Sequence, residues 1–585
     1  MSRIAIIKKD KCTGEQCGYV CMKVCPRNRE GENCVFIDET TKAGINEELC
    51  IGCGICPNKC PFEAIRIINL PSELDNDPIH QYSQNGFRLY SLPIPMFGKV
   101  VGILGKNGIG KSTAIKVLAG VLKPNLGRWE SQEGCKTEEL IEYFKGTEAQ
   151  LFFERLRDGK ITAAYKPQAV DMIPKTTEGK VIDLLKKVDE RGVFDDLVDK
   201  LDLRGILDND IKTISGGELQ RVAIAATVMK KANLYIFDEP TSYLDIKQRI
   251  RVSKFIRSLA DEGTAVLVVE HDLIILDYMT DLVHLMYGSE GCYGVVSQTK
   301  TVKSGINTYL SGYLKEENVR FRETEIKFFS APQDIGRVEQ EMITDWTGLK
   351  KKLGSFQLEA TEGKVHRHDV IGILGENGIG KTSFVKMLAG VFDPDEGKIE
   401  EKVKVSYKSQ YLEKSDELVI SVLSEAMQYE SLLIRPLNLK PLFTKQLDQL
   451  SGGELQRVAI AVCLARDADL FLLDEPSAYL DVEQRLLVSK VLRDFMVQRG
   501  TSAMVVDHDL LFIDHISRRL VVFDGEPAIR GIVNGPFSMI DGMNLFLKDL
   551  KITMRRDEHS NMPRVNKPGS QMDQKQIQEN KLYYV

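Results

Sequence analysis

The sequence contains no apolar run that approaches the roughly 18 uncharged residues of a membrane-spanning helix. Its first ten residues, MSRIAIIKKD, also lack the apolar core of a secretory signal. We therefore expect a cytoplasmic protein, nuclear as well in a eukaryotic source, with no membrane partner. Positive charge is not in excess either, because 78 Lys and Arg oppose 84 Asp and Glu. A nucleic-acid partner would then be bound by local basic patches rather than by a general cationic field.

Cysteine is almost absent from most of the chain. Nine of the 12 cysteines lie between Cys12 and Cys60, which leaves only Cys135, Cys292 and Cys463 for the rest. Without a secretory signal, such crowding favours metal ligation over disulfide bonds. The 585 residues are too many for one hydrophobic core, so we expect three or more domains.

The crowded cysteines form two runs of the ferredoxin type, each ending in Cys-Pro. The second run, CIGCGICPNKCP, fits C-x2-C-x2-C-x3-C-P, in which three thiolates hold one [4Fe-4S] cluster and the fourth ligates its neighbour. The first run has the looser spacing C-x4-C-x3-C-x3-C-P. Crossed ligation predicts two [4Fe-4S] clusters, one held by Cys12, Cys17, Cys21 and Cys60 and the other by Cys25, Cys50, Cys53 and Cys56.

This prediction leaves three questions open. Cys34 has no assigned role, and a pair of tetrahedral zinc sites is an alternative to the two clusters. A redox role also stays undecided, because the potential of a cluster depends on burial and hydrogen bonding.

Beyond Pro71 the chain contains an internal repeat. GILGKNGIGKST at 102–113 recurs as GILGENGIGKTS at 372–383, and both fit the P-loop pattern after an apolar strand. In such a loop the backbone N–H groups surround a phosphate, the lysine adds a charge and the hydroxyl reaches Mg²⁺. The predicted ATP-binding residues are Gly105, Asn107, Gly108, Gly110, Lys111, Ser112 and Thr113, then Gly375, Asn377, Gly378, Gly380, Lys381, Thr382 and Ser383.

Each repeat also carries an Asp-Glu pair after a buried parallel strand, in LYIFDEPTSYLD and LFLLDEPSAYLD. Asp238 and Asp474 are predicted to hold Mg²⁺ together with Ser112 and Thr382. Glu239 and Glu475 are the predicted general bases for an attacking water. A second strand in each repeat ends at His271 and His508, which we expect near the γ-phosphate as further catalytic residues.

SGGELQRVAIAA at 215–226 recurs as SGGELQRVAIAV at 451–462. Ser215 and Glu218 form an S-x-x-E capping box at the start of a predicted helix. Capping does not require two glycines, whereas bare backbone at a helix N-terminus suits a phosphate. The residues predicted to bind the γ-phosphate are Ser215, Gly216, Gly217, Ser451, Gly452 and Gly453.

Taken in order, these motifs resemble the ATP-binding cassette ATPases, twice over. The resemblance implies an α/β fold with two cassettes packed head to tail, each ATP lying between one P-loop and the signature of the other cassette. One site would pair Lys111 with Ser451, and the other Lys381 with Ser215. Gln168 and Gln410, in YKPQ and YKSQ, match the loop that senses Mg²⁺ and water, and are predicted Mg²⁺ and nucleotide residues. Ile214 and Ser409 depart from the usual leucine and proline of the family.

A double-cluster head on twin cassettes without membrane spans resembles the ribosome-recycling ATPases of ABC subfamily E, the RNase L inhibitor family. The resemblance implies a monomer that hydrolyses ATP to split ribosomes after termination or stalling. Its partners would be the ribosome, especially the small subunit and its rRNA, a peptide release factor or its stalled-ribosome paralogue, and translation initiation factors. The alternative is an ATP-coupled iron-sulfur redox or cluster-assembly protein, although the chain shows no flavin or nicotinamide fingerprint.

The expected organisation follows from the motifs and from segments similar to the hinges of that family. We expect an iron-sulfur domain at 1–72, cassettes at 73–303 and 326–540, hinges at 304–325 and 541–568, and a polar tail at 569–585. The first cassette is longer before its Gln168, and TEELIEYFKGTEAQLFFERLRDG, within 132–160, is predicted as two helices broken at Gly146. In that family the corresponding insertion contacts the small ribosomal subunit. A packing role for the two helices is an equally open alternative.

Two further sets of residues are assigned mainly from the resemblance. Tyr82 and Phe87 are candidates to face the first adenine, and Phe356 the second. Basic residues near the hinges are candidates for rRNA phosphate contact or for hinge packing, namely Arg320, Arg322, Arg555, Arg556, Arg564 and Lys567.

Overall fold

The structure is a computed structural model that describes residues 3–9, 11–38, 40–46, 49–69, 77–130, 134–328, 341–400, 403–409 and 415–583. Gln410, a predicted site residue, lies outside these ranges. Within them, no helix combines the length and apolarity needed to cross a membrane.

Residues 3–69 form a small N-terminal unit. Its elements are β1 Arg3–Ile7, α1 Val20–Val24, α2 Pro26–Arg29, β2 Val35–Ile37, β3 Ala43–Ile45, α3 Ile55–Lys59 and β4 Ile65–Asn69. β1 pairs with β4 and β2 with β3, both in antiparallel register. The interior is made of short apolar side chains and cysteines, including Ala5, Cys34 and Ile45. A unit of this size buries little apolar surface. We therefore expect its stability to depend on what its cysteines bind.

The first cassette begins with two short strands and contains a large sheet. Its strands are β5 His80–Gln81, β6 Arg88–Leu89, β7 Val100–Leu104, β8 Ala163–Lys166, β9 Leu234–Asp238, β10 Ala265–Val269, β11 Leu282–Ser289, β12 Tyr293–Val296 and β13 Lys300–Thr301. Within the described residues their order is β5-β6-β12-β11-β7-β10-β9-β8, with β13 beside β11. The run from β11 to β8 is parallel, and β7, β9 and β10 are buried along their whole length. Their continuous apolar sequences follow from burial on both faces.

Helices cover both faces of this sheet. They are α4 Lys111–Leu118, α5 Thr137–Tyr143, α6 Glu148–Arg157, α7 Ile173–Thr176, α8 Val181–Val188, α9 Phe194–Lys200, α10 Gly216–Val228, α11 Ile246–Ser258 and α12 Leu273–Met279. α5 and α6 occupy the predicted insertion. α5 ends before Gly146, and α6 begins after it. Phe144 stacks on Phe153 in their buried face, with ring centroids 5.4 Å apart, whereas Leu151 is exposed.

The second cassette repeats this plan. Its strands are β16 Met342–Leu353, β17 Phe356–Ala360, β18 Gly363–His366, β19 Val370–Leu374, β20 Glu396–Ile399, β21 Val405–Lys408, β22 Leu470–Asp474, β23 Ser502–Val506, β24 Arg519–Glu526 and β25 Arg530–Ser538. The described strands lie in the order β18-β16-β17-β25-β24-β19-β23-β22-β21, with β20 beside β16. Its helices are α14 Lys381–Leu388, α15 Val419–Val422, α16 Gly452–Ala465, α17 Val482–Arg499 and α18 Leu510–Ile516. The predicted α/β class is confirmed.

The segments after each cassette, which the sequence predicts as the two hinges, pack together. The first contains α13 Val302–Ser311, β14 Tyr313–Leu314 and β15 Val319–Arg320, and the second contains α19 Met539–Leu550, β26 Met554–Arg556 and β27 Pro563–Val565. The Nδ2 of Asn561 donates to the carbonyl oxygen of Phe328 at 3.0 Å, joining the two hinges. One continuous apolar core extends through the helical layers of both cassettes and both hinges. The cassettes are therefore joined by packed structure.

Three of the hinge arginines are buried in ion pairs, so hinge packing is their role rather than phosphate contact. Arg322 binds Glu483, with Nη2 and Oε1 2.5 Å apart. Arg564 binds Asp277 in α12 at 2.9 Å, and Arg556 binds Asp514 at the equivalent position of α18 at 3.0 Å. The β26–β27 hairpin thus contacts one helix of each cassette. Arg320 and Lys567 are exposed, and Arg555 is half-buried.

The C-terminal segment, for which the sequence predicted only a polar tail, contains regular structure. It forms a helix, α20 Gln571–Gln578, and buries Gln576 and Tyr583 against the second hinge. Gln576 satisfies its buried amide by donating to the carbonyl oxygens of Met554 and Lys581, at 2.9 and 3.1 Å. Hydrophobicity alone does not indicate which polar groups will be buried and hydrogen-bonded.

We predict that Arg564→Gln lowers the free energy of unfolding by about 3 kcal/mol, because it removes the buried guanidinium that pairs with Asp277 at 2.9 Å and with the buried Asp557 at 3.2 Å. Calorimetric unfolding of the full-length protein measures the change. Lys567→Gln is the matched control, and we expect an effect below about 0.5 kcal/mol because that side chain is exposed. Equal effects of the two substitutions would contradict the packing role of Arg564.

Candidate nucleotide and iron-sulfur sites

Each P-loop connects a buried strand to a helix, β7 to α4 and β19 to α14. The Nζ of Lys111 donates to the carbonyl oxygens of Gly105 and Lys106, at 2.9 and 2.6 Å. Lys381 makes the equivalent bonds in the second loop, at 2.7 and 2.9 Å. Gly110 precedes α4 with φ at 88°, a left-handed conformation that only glycine adopts without strain. The loop therefore curls around its lysine, with the N-terminus of α4 exposed to an anion.

Burial alters the acid-base properties of both P-loop lysines. It lowers the pKa of Lys111 to about 8, against the opposing effect of the Glu239 and Asp481 carboxylates. Burial likewise lowers the pKa of Lys381 to about 8, opposed first by Asp245. Both lysines remain cationic at neutral pH, yet they are poised to lose their protons above it.

The P-loop hydroxyl and the aspartate of the Asp-Glu pair meet in each cassette. The Oγ1 of Thr382 donates to Oδ2 of Asp474 at 3.0 Å. In the first cassette the Ser112 hydroxyl lowers the pKa of Asp238, against the rise that burial and the Glu239 charge cause. A hydroxyl beside a carboxylate at the end of a P-loop is the donor set that Mg²⁺ prefers, so the residues present fit this ion.

Glu239 is held by several side chains, including Ser242, whose hydroxyl donates to Oε2 at 3.2 Å. Gln168 donates through Nε2 to its Oε1 at 2.6 Å, and Nε2 of His271 lies 3.3 Å from the same oxygen. Gln220, in the signature helix α10, donates to the Glu239 carbonyl at 2.7 Å. Burial alone would raise the pKa of Glu239, but the hydrogen bond from His271 and the Lys111 charge lower it to about 2. Its φ of 46° is unusual for a non-glycine residue and is shared by Glu475.

The second site has the same residues with a looser contact between glutamate and histidine. Nε2 of His508 lies 3.7 Å from Oε1 of Glu475 and 3.5 Å from Nζ of Lys381. Burial and the Lys381 charge hold the pKa of His508 well below its usual value, so the ring is neutral. Gln456 donates to the Glu475 carbonyl at 2.6 Å, as Gln220 does in the first cassette.

The predicted capping box of the first signature helix is confirmed, and the second signature helix begins with the same arrangement. The backbone N–H of Glu218 donates to Oγ of Ser215 at 3.3 Å, and Ser215 N–H donates back to the Glu218 carboxylate at 2.7 Å. Ser451 and Glu454 do the same at the start of α16. Both serines are exposed, so the helix N-termini are open to a ligand. The adjoining glycines pack against a tyrosine backbone, where a Cβ on Gly217 would lie 3.0 Å from the Tyr243 carbonyl oxygen.

Each P-loop also contacts the opposite cassette. The backbone N–H of Asn107 donates to Oδ2 of Asp481 at 3.3 Å, and the N–H of Asn377 donates to Oδ2 of Asp245 at 3.1 Å. These aspartates end the motifs TSYLD and AYLD and cap α11 and α17 with their other oxygen, at 2.9 Å in both cases. The two cassettes are thus paired head to tail, and each contributes a carboxylate to the other's P-loop.

The candidate adenine aromatics lie beside the P-loops. The Phe87 ring packs against Gly110, and the Phe356 ring against Gly380, at equivalent positions of the two cassettes. The Tyr82 hydroxyl is 3.2 Å from Oγ1 of Thr113, and the rest of its ring is exposed. An exposed ring fixed at its hydroxyl is suited to stacking on a base.

The N-terminal cysteines line two separate recesses. One has about 350 Å³ of empty space, and its cysteines are Cys12, Cys17, Cys21 and Cys60. The other has about 360 Å³, and its cysteines are Cys25, Cys34, Cys50, Cys53 and Cys56. Each recess therefore brings together the four cysteines assigned to one cluster from the sequence, with Cys34 added to the second. A thiolate donor set of this size fits an iron-sulfur cluster.

Burial opposes ionisation of two of the thiols in these recesses. Burial raises the pKa of Cys21 to about 11 and that of Cys56 to about 12, with smaller contributions from neighbouring cysteines. Since a metal binds the thiolate, cluster loading must displace protons from these cysteines. The N–H of Ala64 donates to the Cys60 sulfur at 3.4 Å, a bond of the kind that tunes cluster potentials.

Sequence reasoning missed several residues of the nucleotide sites. Tyr165 donates to Oδ2 of Asp238 at 3.4 Å, and the fully buried Lys166 donates to the Asp238 carbonyl at 3.0 Å. Tyr407 and Lys408 repeat these contacts in the second cassette. The available signal was recurrence, because YK, LQ and YLD occur at matching places in both repeats.

Family models and relatives agree on the kind of protein. The ABC transporter model matches residues 94–242 and 358–478, and the 4Fe-4S binding domain model matches residues 43–66. The chain is 51% identical to an uncharacterized ABC transporter ATP-binding protein of Methanocaldococcus jannaschii, over 100% of this chain and 98% of the relative. It is 43% identical to ABC transporter E family member 1 of Arabidopsis thaliana, over 100% and 99%. It is 42% identical to translation initiation factor RLI1 of Saccharomyces cerevisiae, over 100% and 98%.

Two solved structures are close to the whole chain. A model of ribosome-bound archaeal Pelota and ABCE1 contains a chain with a TM-score of 0.94 and 50% identity, covering 100% of this chain and 99% of that one. A complex of archaeal ribosomal stalk protein aP1 with ribosome recycling factor aABCE1 gives a TM-score of 0.82 and 50% identity, covering 88% and 100%.

We predict that ATP affinity falls as pH rises above about 8, by up to about tenfold per pH unit at each site. Phosphate favours charged Lys111 and Lys381, so binding must take up protons once the free lysines have lost them. Calorimetry at pH 9 in two buffers of different ionisation enthalpy measures the uptake, and at pH 7 we expect none. Lys111→Arg/Lys381→Arg is the control, since arginine stays charged throughout. Affinity that is flat between pH 8 and 10 would contradict the account.

Proposed function

Because the chain belongs to ABC subfamily E, the family of the RNase L inhibitor, we propose that it is an ATPase that splits ribosomes into subunits. The splitting follows termination or stalling, with a release factor or its stalled-ribosome paralogue present. Afterwards the protein remains on the small subunit and its rRNA toward initiation. The observation that carries this proposal is the contact of each P-loop with the opposite cassette, which makes ATP binding and cassette closure one event.

In each site we assign hydrolysis to the glutamate after the Mg²⁺ aspartate. Glu239 is ionised and within reach of Gln168 and His271, so it can take a proton from a water aligned with the γ-phosphorus. The water oxygen forms the new P–O bond, the bond to the β–γ bridging oxygen breaks, and ADP and phosphate result. Glu475 and His508 act in the same way in the second cassette. The P-loop backbone and its lysine bind the phosphates and orient the γ-phosphate.

Ser112 with Asp238, and Thr382 with Asp474, are the proposed Mg²⁺ residues. The ion supplies positive charge against the charge that develops on the phosphate oxygens. Gln168 and Gln410 are proposed to complete the two sites. Tyr165 and Tyr407 hold the aspartates in place from the side.

ATP would stabilise the closed pair of cassettes because it binds residues of both. The proposed pairing joins Lys111 to Ser451 and Lys381 to Ser215. After hydrolysis the γ-phosphate no longer bridges a P-loop and a signature, so the closed state loses its advantage. The continuous core through the hinges would keep the two cassettes joined during such a motion.

The N-terminal unit is placed to follow this motion. Glu290, in the turn after β11, lies 3.5 Å from Lys8 of that unit. The next residue, Gly291, donates its N–H to the carbonyl oxygen of Gly108 in the first P-loop at 2.9 Å. Asn85 also donates to the Ile45 carbonyl of the N-terminal unit, at 2.5 Å. A displacement of the first P-loop is therefore passed to the unit we propose as the splitting tool.

We propose two [4Fe-4S] clusters, with the crossed ligand sets that line the two recesses. When bound, each cluster cross-links four cysteines from distant parts of a short segment. The zinc alternative requires four sulfurs about 2.3 Å from one ion. Among the described residues, no three His, Cys, Asp or Glu side chains converge closely enough to hold a single metal ion. That geometry favours the larger group.

We predict that Glu239→Gln/Glu475→Gln slows ATP hydrolysis by about 10²–10⁴-fold, because glutamine cannot accept the proton. It should still bind ATP. The anaerobically purified protein is mixed with post-termination ribosomes, a release factor and ATP, and subunit dissociation is followed by light scattering. We expect the unsubstituted protein to turn over repeatedly and the variant to complete no more than one round.

The control separates the two parts of this proposal. Lys111→Ala/Lys381→Ala should lose ATP binding and splitting together. No dissociation by an unsubstituted protein that hydrolyses ATP and contains its iron would overturn ribosome splitting and leave the ATPase assignment standing.

We also predict that cysteine substitutions group by recess. Cys25→Ser and Cys53→Ser should remove the same cluster, and Cys12→Ser and Cys60→Ser the other, so each leaves about four of about eight irons per chain. Iron analysis and electron paramagnetic resonance of the reduced proteins measure the loss. Cys135→Ser, in the first cassette, is the control and should keep all the iron. If Cys25→Ser and Cys12→Ser affected the same cluster, the crossed arrangement would be wrong.

A further inference from the structure

A salt bridge crosses the cassette boundary beside each P-loop. In the first site, Nζ of Lys106 lies 2.8 Å from Oε2 of Glu483, the second residue of α17. In the second site, Nζ of Lys247, the second residue of α11, lies 2.6 Å from Oε1 of Glu376. Lys106 and Glu376 occupy the same place in their P-loops, immediately before the asparagine that contacts the opposite aspartate. Lys247 and Glu483 likewise follow that aspartate by two residues.

The charges of the two bridges are exchanged between the repeats. The first P-loop carries the cation in GKNGIGK, and the second carries the anion in GENGIGK. The opposing helices read LDIKQR in the first cassette and LDVEQR in the second. If a P-loop met the helix of its own cassette type, as in a pair of identical cassettes, like charges would face each other.

Among the described residues, the first bridge is hydrogen-bonded to the first hinge, whereas the second bridge has no ion pair with that hinge and lies beside Asp549 of the second hinge. Glu483 also accepts a hydrogen bond from Nε of Arg322 of the first hinge at 2.6 Å, and Nη2 of Arg322 forms an ion pair with the same carboxylate oxygen at 2.5 Å. Arg322 is 8% exposed and is fixed further by donating to the carbonyl oxygens of Tyr309 and Leu310, at 2.6 and 3.2 Å. The lysine of the Lys247–Glu376 bridge is more exposed than that of the first bridge, 52% against 35%, whereas the two glutamates are equally exposed.

We propose that the two charge-exchanged bridges select the cassette that completes each P-loop, and that Glu483 positions the first P-loop from the first hinge. Glu483 is a positioning residue, because it acts on the nucleotide through Lys106. The inference rests on the proposed ATP sites and deepens them, since it makes the first site respond to the hinge and the second site independent of it. The same charge pattern favours pairing of the two cassettes within one chain over pairing of equivalent cassettes from two copies of the chain.

Double-mutant cycles on ATP binding test the proposal. In a Lys111→Ala background, which silences the first site, the second site is measured for Lys247→Glu, Glu376→Lys and both together. In a Lys381→Ala background, the first site is measured for Lys106→Glu, Glu483→Lys and both together. The probe is a fluorescent, non-hydrolysable ATP analogue with Mg²⁺ and the full-length, cluster-loaded protein. Each charge also acts directly on the phosphates, but such independent effects cancel in the coupling between the two substitutions.

At the second site we expect the double reversal to bind ATP about fivefold more tightly than the product of the single effects, because the bridge is restored with opposite polarity. At the first site we expect the double reversal to bind ATP at most about twofold more tightly than the product of the single effects. There, Glu483→Lys also places a cation against Arg322, whose other bonds prevent it from moving away.

The outcomes separate the two parts of the inference. No coupling at either site would overturn the role of the bridges, and equal coupling at both would overturn the link to the hinge. If a reversal prevents folding, as judged by iron content and thermal unfolding, Lys106→Met and Glu483→Gln give the same cycle. The assay contains no ribosomes, so a failure of ribosome splitting leaves its result unaffected.

Discussion

The exchange of aspartates between the two cassettes is the contact on which the rest of the structure depends. Asp245 and Asp481 each cap a helix of their own cassette with one carboxylate oxygen and accept from the opposite P-loop with the other. A P-loop cannot shift without moving a helix of the other cassette. The salt bridges beside these contacts and the shared core in the hinges keep the two halves in that register.

The chemistry and the motion use the same edge of each sheet. Parallel strands end together, so the P-loop, the Asp-Glu pair and the histidine of one cassette converge although they are far apart in sequence. The β26–β27 hairpin binds a helix beside each histidine through Arg564 and Arg556. The turn at Glu290 connects the first P-loop to the N-terminal unit. Both nucleotide sites are therefore joined to the parts that would move.

The motifs that bind phosphate and metal could be predicted because they are local. A P-loop, a capping box or a Cys-Pro run needs particular residue types at fixed spacing, and each recurs in this chain. The α/β class followed from the apolar strands before those motifs. The partners of Arg322, Arg556 and Arg564 could not be predicted, because their carboxylates are distant in sequence and an arginine reads as a surface residue. The C-terminal helix was missed for the same reason: its buried groups are polar and hydrogen-bonded. Tyr165 and Gln220 could have been predicted as site residues, because each has a counterpart at the matching position of the second repeat.

The central claim is that ATP closes the two cassettes against each other. Pulsed electron paramagnetic resonance tests it most directly, with spin labels carried by unnatural amino acids at Val121 and Val391, exposed residues at equivalent places in the two cassettes. In Glu239→Gln/Glu475→Gln protein, we expect Mg²⁺-ATP to shift the distance distribution to shorter values and ADP to leave it unchanged. An identical distribution with ATP, with ADP and without nucleotide would contradict the account.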